Sequence, residues 1–280
     1  MSVLQAIILG LVQGATEFAP VSSSGHLILV PWLFNWTIVS DPALNKTFDV
    51  ALHMGTLVGA VIYFRKDLVR YIAAWFRSVV HREIANTDQR VAWALVIGTI
   101  PGAIAGAAFE SVIEEKLGQP FIIATMLAIF GVVLYAVDRY ARSDREIKDI
   151  TVRDGGVMGV AQALALQPGV SRSGVTITAG RLLGIDRESA ARFSFLLSLP
   201  IIAGAGLLKS VDVVQNGLPP GFAAPFFWGM LAAGVSGYLV IWGLLAYLRK
   251  RGFAIFMWYR IAVALLVFGL IVTGVRPATI

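Results

Sequence analysis

The chain has 280 residues, of which 57% are hydrophobic and only 14% charged, and its mean hydropathy is +0.76. A soluble domain carries about 25% charged and about 45–50% apolar residues, so this balance excludes a water-soluble enzyme built on one hidden core, and it excludes disorder. The absence of cysteine excludes a disulfide framework, a thiolate metal site and a cysteine nucleophile, and the formal charge of +6 sits in short blocks between apolar segments, which argues against nucleic acid as a partner.

The first residues do not read as a signal peptide: no Lys or Arg precedes the apolar run, and Glu17 interrupts the sequence just after it, so the segment is read as part of the mature protein. Ten apolar stretches can be marked in chain order, at about 3–15, 25–36, 48–64, 91–110, 120–137, 155–166, 173–184, 193–209, 223–247 and 254–275. A helix crossing the hydrocarbon needs about 20 residues, which six of these reach or approach. The stretches at 3–15, 25–36, 155–166 and 173–184 are too short, and they form two adjacent pairs, each joined by a polar Pro/Ser/Gly segment. Two half-length helices around a polar turn predict a re-entrant hairpin, because polar backbone at membrane depth is tolerated only inside protein or beside a water-filled cavity.

The two pairs resemble each other. Val21-Ser22-Ser23-Ser24-Gly25 matches Val170-Ser171-Arg172-Ser173-Gly174 at an offset of 149, which also pairs Gln13 with Gln162. Each pair precedes a Phe-led span, at Phe48 and Phe193, and then two more spans. The expected fold is therefore an all-α polytopic membrane protein of two repeats, each a re-entrant helix hairpin plus three transmembrane helices. Three crossings are odd, so the second repeat is inverted, and a site is expected near the midplane between the repeats. The chain reads as one integral membrane domain over 1–280, with repeat one at about 1–150 and repeat two at about 151–280.

Charge placement fits this topology. Loop 65–90 (Arg65, Lys66, Arg70, Arg77, Arg82, Arg90), loop 138–154 (Arg139, Arg142, Arg145, Lys148, Arg153), the group Arg181, Arg187 and Arg192, and the group Arg249, Lys250 and Arg251 all fall on one side. They hold 17 of the 23 Lys and Arg, so that side is read as cytoplasmic. The loop near Glu110, Glu114 and Glu115 and both termini then face outward. The first hairpin dips in from outside and the second from the cytoplasm, so their tips can meet.

Ionisable groups within a bilayer cost about 2.5–3.5 kcal/mol each at a helix centre, and the hairpins hold Glu17, His26 and Arg172. Arg172 offers a planar donor fork suited to phosphate. Ser22, Ser23, Ser24, Ser171, Ser173 and Thr176 offer hydroxyls, and Gly25 and Gly174 let backbone N–H groups approach an anion at the starts of half-helices. Histidine exchanges protons near neutral pH, a carboxylate orients it or binds a divalent cation, and a serine beside it serves as nucleophile. Together these parts suit phosphoryl transfer. Each also has a structural reading: Ser/Thr/Gly clusters pack membrane helices, and Glu17 and Arg172 pair with each other. Asp49 and His53 are expected at the rim or in a structural role, His81 in solvent, and Trp32, Trp36, Trp228 and Trp258 as interface anchors or lipid-facing packing.

The segment Gln13-Gly-Ala-Thr-Glu17-Phe-Ala-Pro-Val-Ser-Ser-Ser-Gly-His26 resembles the first signature of the bacterial undecaprenyl-diphosphate phosphatase family (BacA/UppP). Pro168-Gly-Val-Ser-Arg-Ser-Gly174 is similar to its second signature, and Arg192-Phe-Ser-Phe-Leu-Leu-Ser-Leu-Pro200 to the family's stretch downstream of it. The resemblance runs over most of the chain. It implies interlocked inverted repeats and hydrolysis of undecaprenyl diphosphate to undecaprenyl phosphate and inorganic phosphate, which recycles the lipid carrier for peptidoglycan and is associated with bacitracin resistance. It implies roles for Glu17, Ser23, His26 and Arg172, and a divalent cation, magnesium or calcium, for which Glu17 is the one candidate ligand. Many members carry glutamate where this chain has Gln13, so a mechanism needing two carboxylates for a metal is in doubt. The expected mechanism has the diphosphate entering from the outer, periplasmic face of the bacterial inner membrane, its phosphates bound by Arg172, by the hairpin hydroxyls and N–H groups (Gly25 and Gly174 among them) and by Gln13. Ser23 attacks with His26 as base or acid, or a water activated at His26 attacks directly. A transporter or flippase for an anionic prenyl phosphate lipid is the rival reading, and a non-catalytic lipid-binding subunit the third. The glycine content is compatible with a homodimer, although no single face stands out.

Overall fold

The computed structural model describes residues 1–36, 42–116 and 118–279. Its α-helices are α1 (Val3–Glu17), α2 (Ser23–Phe34), α3 (Pro42–His81), α4 (Thr87–Lys116), α5 (Pro120–Tyr140), α6 (Val152–Ala163), α7 (Arg172–Leu182), α8 (Arg187–Asn216), α9 (Ala223–Leu248) and α10 (Ala254–Val272). Among the described residues the β pairing is one isolated bridge between Arg145 and Ile185. Each of the ten apolar stretches carries one helix. Helices α3, α4, α5, α8, α9 and α10 are long and apolar enough to cross a membrane, and the chain is an integral membrane protein.

Two boundaries differ from expectation. Residues 65–81 continue α3 as helix instead of opening a loop. The 40 residues of α3 reach about 60 Å at about 1.5 Å per residue, roughly twice the hydrocarbon thickness, so its charged end extends beyond the bilayer without unwinding. Helix α4 likewise runs on to Lys116 through the acidic segment 110–115; the side chains of Glu110, Glu114 and Glu115 lie outside the described residues.

The short helices have defined starts. Ser2 and Gln5 form a capping box on α1, and Thr151 and Asp154 do the same on α6. Ser22 and Ser171 cap α2 and α7 from the same unusual backbone, with φ of 74° and 77°. Helix α1 packs along α9, and α6 along α4. Both contacts are backbone-close: a Cβ on Gly10 would come within 2.2 Å of the Gly229 carbonyl oxygen, and one on Gly159 within 2.2 Å of the Gly98 carbonyl oxygen. Small residues are what membrane helices use to approach so closely. The largest apolar cluster includes Phe18, which meets Phe195 edge-to-face at 5.3 Å, together with Val21, Ile177 and Leu197.

Ion pairs bring the four basic blocks to one end of the bundle. Arg192 pairs with Asp67, Asp138 accepts from Arg181 Nε at 2.9 Å and Arg187 Nε at 2.8 Å, and Arg249 pairs with Glu188 at 2.8 Å. Arg90 donates to the Lys148 carbonyl at 3.0 Å. At the end of α2, Trp32 donates to the Pro277 carbonyl at 3.1 Å and Arg276 to the Leu33 carbonyl at 2.9 Å. Met1, Ala6, Leu27, Trp36, Phe48 and Phe226 cluster together, so the start of α1 and the end of α2 lie at one level.

Candidate active site

The turns between α1 and α2 and ahead of α7 are fastened to each other. Ser22 Oγ accepts from the Gly169 N–H at 2.9 Å and from the Gly25 N–H at 3.4 Å. Ser173 Oγ donates to the Ala19 carbonyl at 3.1 Å. Arg260, wholly buried in α10, donates to the carbonyls of Pro20 (3.1 Å), Gly169 (2.8 Å), Val170 (3.1 Å), Leu127 (2.9 Å) and Met126 (3.4 Å). One guanidinium thus ties both turns to α5. A planar fork of five donors suits carbonyls that have no helix to bond within.

Glu17 sits where the turns meet. Its side chain is 1% exposed, and every neighbour donates to it. Gln13 Nε2 reaches Oε2 at 2.8 Å, Ser23 Oγ reaches Oε2 at 2.6 Å, and Arg172 Nη2 forms an ion pair with Oε1. His53 Nε2, from α3, lies 3.4 Å from Oε2. A carboxylate in such surroundings is held in its charged form and accepts the serine hydroxyl at a distance typical of a charge-assisted bond. The cluster opens into a cavity of about 180 Å³, lined by Glu17, Ser23, Ser24, His53, Gln162 and Arg172 among others. A larger hollow of about 710 Å³ lies at the far end of α5 and α7, but its Arg145 is already bonded to Asp154, and it carries none of this chemistry.

His26 is elsewhere. Its Nδ1 donates to the Ser22 carbonyl at 2.8 Å, and its Nε2 is 2.8 Å from the Tyr259 hydroxyl, with the rings stacked. With Nδ1 the donor, Nε2 accepts from the phenol, and the neutral ring is satisfied on both sides. The expected pairing of His26 with Glu17 or Ser23 is therefore not made, because a back-bond to the previous turn and a partner on α10 fix the ring away from them. His53, expected at the rim or in a structural role, is the histidine beside the carboxylate. Its Nδ1 donates to the Asp49 carbonyl at 2.8 Å, which aims Nε2 at Glu17.

The other expected residues divide into two groups. Ser23, Ser24, Ser22, Ser171 and Arg172 line the cavity. Gln13 holds Glu17 and leaves its Oε1 unpaired. Ser171 Oγ accepts from the Gly174 N–H at 3.1 Å, so the Gly25 and Gly174 N–H groups meet serine caps. Thr176 bonds the Arg172 carbonyl at 2.7 Å and Ser194 Oγ at 2.6 Å, behind the cavity. Tyr259 and Arg260 stand outside the sequence expectations, and His53 and Gln162 carry more of the site than the rim or structural role and the repeat pairing expected of them. The rule that singled out Glu17 and Arg172, a lone ionisable group in an apolar stretch, also selects Arg260 once it is applied beyond the hairpins. The offset pairing with Gln13 pointed to Gln162.

A resident divalent cation does not fit these side chains. Among the described residues no three His, Asp or Glu groups converge as ligands. Glu17 is the only carboxylate among the described residues lining the cavity, and both its oxygens face donors, one of them a guanidinium. A cation there would have to displace Arg172, so the expectation of Glu17 as a metal ligand is not supported by its surroundings.

The family model described as Bacitracin resistance protein BacA matches residues 6–266. Proteins named undecaprenyl-diphosphatase are similar over nearly the full length of both chains. That of Moorella thermoacetica is 47% identical over 267 residues, covering 95% of this chain and 97% of that protein. That of Trichlorobacter lovleyi is 46% identical over 275 residues, covering 98% and 99%, and that of Pelobacter propionicus 44% identical over 276 residues, covering 98% and 99%. With residues 6–266 matched, from within α1 to within α10, and with both polar turns converging on one carboxylate, this chain belongs to the BacA family.

Proposed function

We propose that this chain hydrolyses undecaprenyl diphosphate to undecaprenyl phosphate and inorganic phosphate in the bacterial inner membrane, returning the lipid carrier to cell-wall synthesis. The name borne by relatives matched end to end supports the substrate. The observation that carries the chemistry is the 2.6 Å bond from Ser23 Oγ to Glu17 Oε2, with Arg172 on the other carboxylate oxygen. In this reading Ser23 attacks the terminal phosphorus, Glu17 takes its proton and passes it to the departing prenyl phosphate, and the remaining donors of Arg172 carry the phosphoryl charge. His26 braces the first turn through Ser22 and Tyr259, and Glu17 replaces it as the base. A carrier or flippase would need Arg172 but not a serine hydrogen-bonded to a buried carboxylate, so the hydrolase is the better fit.

The reading extends to topology. Two inverted repeats, 1–150 and 151–280, each begin with a re-entrant hairpin. The matching φ values of Ser22 and Ser171, and the exchanged packing of α1 on α9 and α6 on α4, support it. The basic end faces the cytoplasm, and the cavity opens toward the periplasmic face, where the headgroup enters while the prenyl tail stays in lipid. A divalent cation, magnesium or calcium, if it takes part, would have to arrive with the substrate and would supply charge neutralisation, since the described side chains around Glu17 offer it no site. Ser23→Ala tests the chemistry: turnover should fall about 10³-fold or more if Ser23 is the nucleophile. A variant that keeps most of its turnover would instead assign the attack to water.

A further inference from the structure

Gln162 lies in the last turn of α6 with its side chain in the cavity wall, 3% exposed, and neither its Nε2 nor its Oε1 has a partner. An unpaired buried polar group costs about 1–3 kcal/mol, so a doubly unpaired amide at a cavity marks a place for a ligand. Room for it is made across the interface: a Cβ on Gly102 of α4 would come within 3.0 Å of the Gln162 Nε2.

The chemistry of the wall narrows what the amide holds. Glu17 is already taken by Gln13, Ser23 and Arg172, and Arg172 offers only donors. The Gln162 Oε1 is thus an unengaged acceptor on the wall. A bare phosphate oxygen repels an acceptor, whereas a water molecule donates to one. An amide that accepts from water through Oε1 and donates through Nε2 to a phosphoryl oxygen spans the two reactants of a hydrolysis.

Building on the phosphatase reading, we propose that Gln162 holds the water that hydrolyses the phosphorylated Ser23. The water oxygen bonds to phosphorus while the phosphorus–Oγ bond breaks with its electron pair on Oγ. One water hydrogen passes through Glu17 to Oγ, and the other leaves on the inorganic phosphate. Gln162 gives up no proton. It fixes the water against the phosphorus and so favours water over any other acceptor.

The test uses the purified full-length protein in detergent with undecaprenyl diphosphate, with and without added glycerol, measuring inorganic phosphate and glycerol phosphate together. Gln162→Leu keeps the side chain's bulk, and Gln162→Asn keeps an amide but withdraws it by one methylene. Both should lower kcat tenfold or more with kcat/KM within threefold, because phosphorylation of Ser23 precedes the step that Gln162 serves, and both should raise the ratio of glycerol phosphate to inorganic phosphate at least fivefold. Acid-quenched Gln162→Leu should accumulate phosphorylated Ser23. Wild-type kcat with an unchanged product ratio in either folded variant would overturn the assignment. So would a rise in KM that accounts for the whole loss, since the amide would then bind phosphate and not water. Absence of phosphate release from the wild-type protein is a separate result, and it would overturn the phosphatase reading itself.

Discussion

Arg260→Met removes the one guanidinium that ties both turns to the bundle. The wild-type side chain serves five carbonyls. Those of Leu127 and Met126 lie within α5 and keep their helical bonds, so the exposed loss falls on the turn carbonyls of Pro20, Gly169 and Val170. At about 1–3 kcal/mol for each carbonyl left buried and unpaired, the gross penalty is about 3–9 kcal/mol. The charge no longer held in the interior returns several kcal/mol of desolvation cost, which leaves a net destabilisation of about 2–5 kcal/mol. Arg260→Lys, with three donors on a point charge in place of five in a plane, should fall between the two. Because the same turns carry Ser23 and Arg172, a shift of about 1 Å should cost turnover about 10²-fold even where the protein stays folded. Thermal unfolding in detergent, paired with phosphate release well below the midpoint, reads both effects. An Arg260→Met protein with the wild-type midpoint and wild-type turnover would refute the clamp.

Three other variants separate packing from chemistry. Tyr259→Phe removes the hydroxyl on His26 Nε2 and should cost about 1 kcal/mol of stability with turnover within threefold; lost turnover at unchanged stability would return His26 to the reaction. Gly159→Leu drives a side chain into the Gly98 backbone and should separate α6 from α4, lowering the unfolding midpoint by the equivalent of about 3 kcal/mol or more; an unchanged midpoint would mean that the close approach is not needed. Burial pushes the Asp154 carboxyl up, but Arg145 and the Thr151 N–H and hydroxyl pull it down further, leaving it below the usual carboxylate range. A carboxyl lowered on folding stabilises fully above its unfolded value of about 4 and loses that contribution as pH falls through its folded value. Asp154→Asn should therefore lose less stability than the wild type on acidification below about pH 4, and parallel melting curves across pH would contradict this.

Much of the molecule is legible because the bilayer writes simple rules. A hydrocarbon slab demands apolar length, so ten apolar stretches give ten helices. The shared Val-Ser-x-Ser-Gly segments foretell two serine caps with nearly the same backbone angles, 74° and 77°. Charge misleads at residues 65–81, because a helix that has left the bilayer keeps its hydrogen bonds whatever side chains it carries. The local chemistry is harder to read. Ser23 and His26 stand three apart on one helix, which brings their side chains to neighbouring positions, yet the imidazole turns to Tyr259, 233 residues away in sequence. His53 reaches Glu17 because α3 packs beside α1, a long-range contact that no motif spacing encodes. Arg260 and Gln162 needed no new rule, only the same search for lone polar groups carried through every apolar stretch.

In the proposed phosphatase the two turns together form the site around Glu17. Phosphate release from undecaprenyl diphosphate by the purified protein in detergent tests it most directly, with a chelator arm and with Glu17→Gln and Arg172→Ala beside the wild type. Turnover is expected in the wild type, with a loss of about 10²-fold or more in each variant and both variants as well folded as the parent. Wild-type rates in either variant, or no phosphate from a well-folded wild-type protein across several divalent cations, would contradict it.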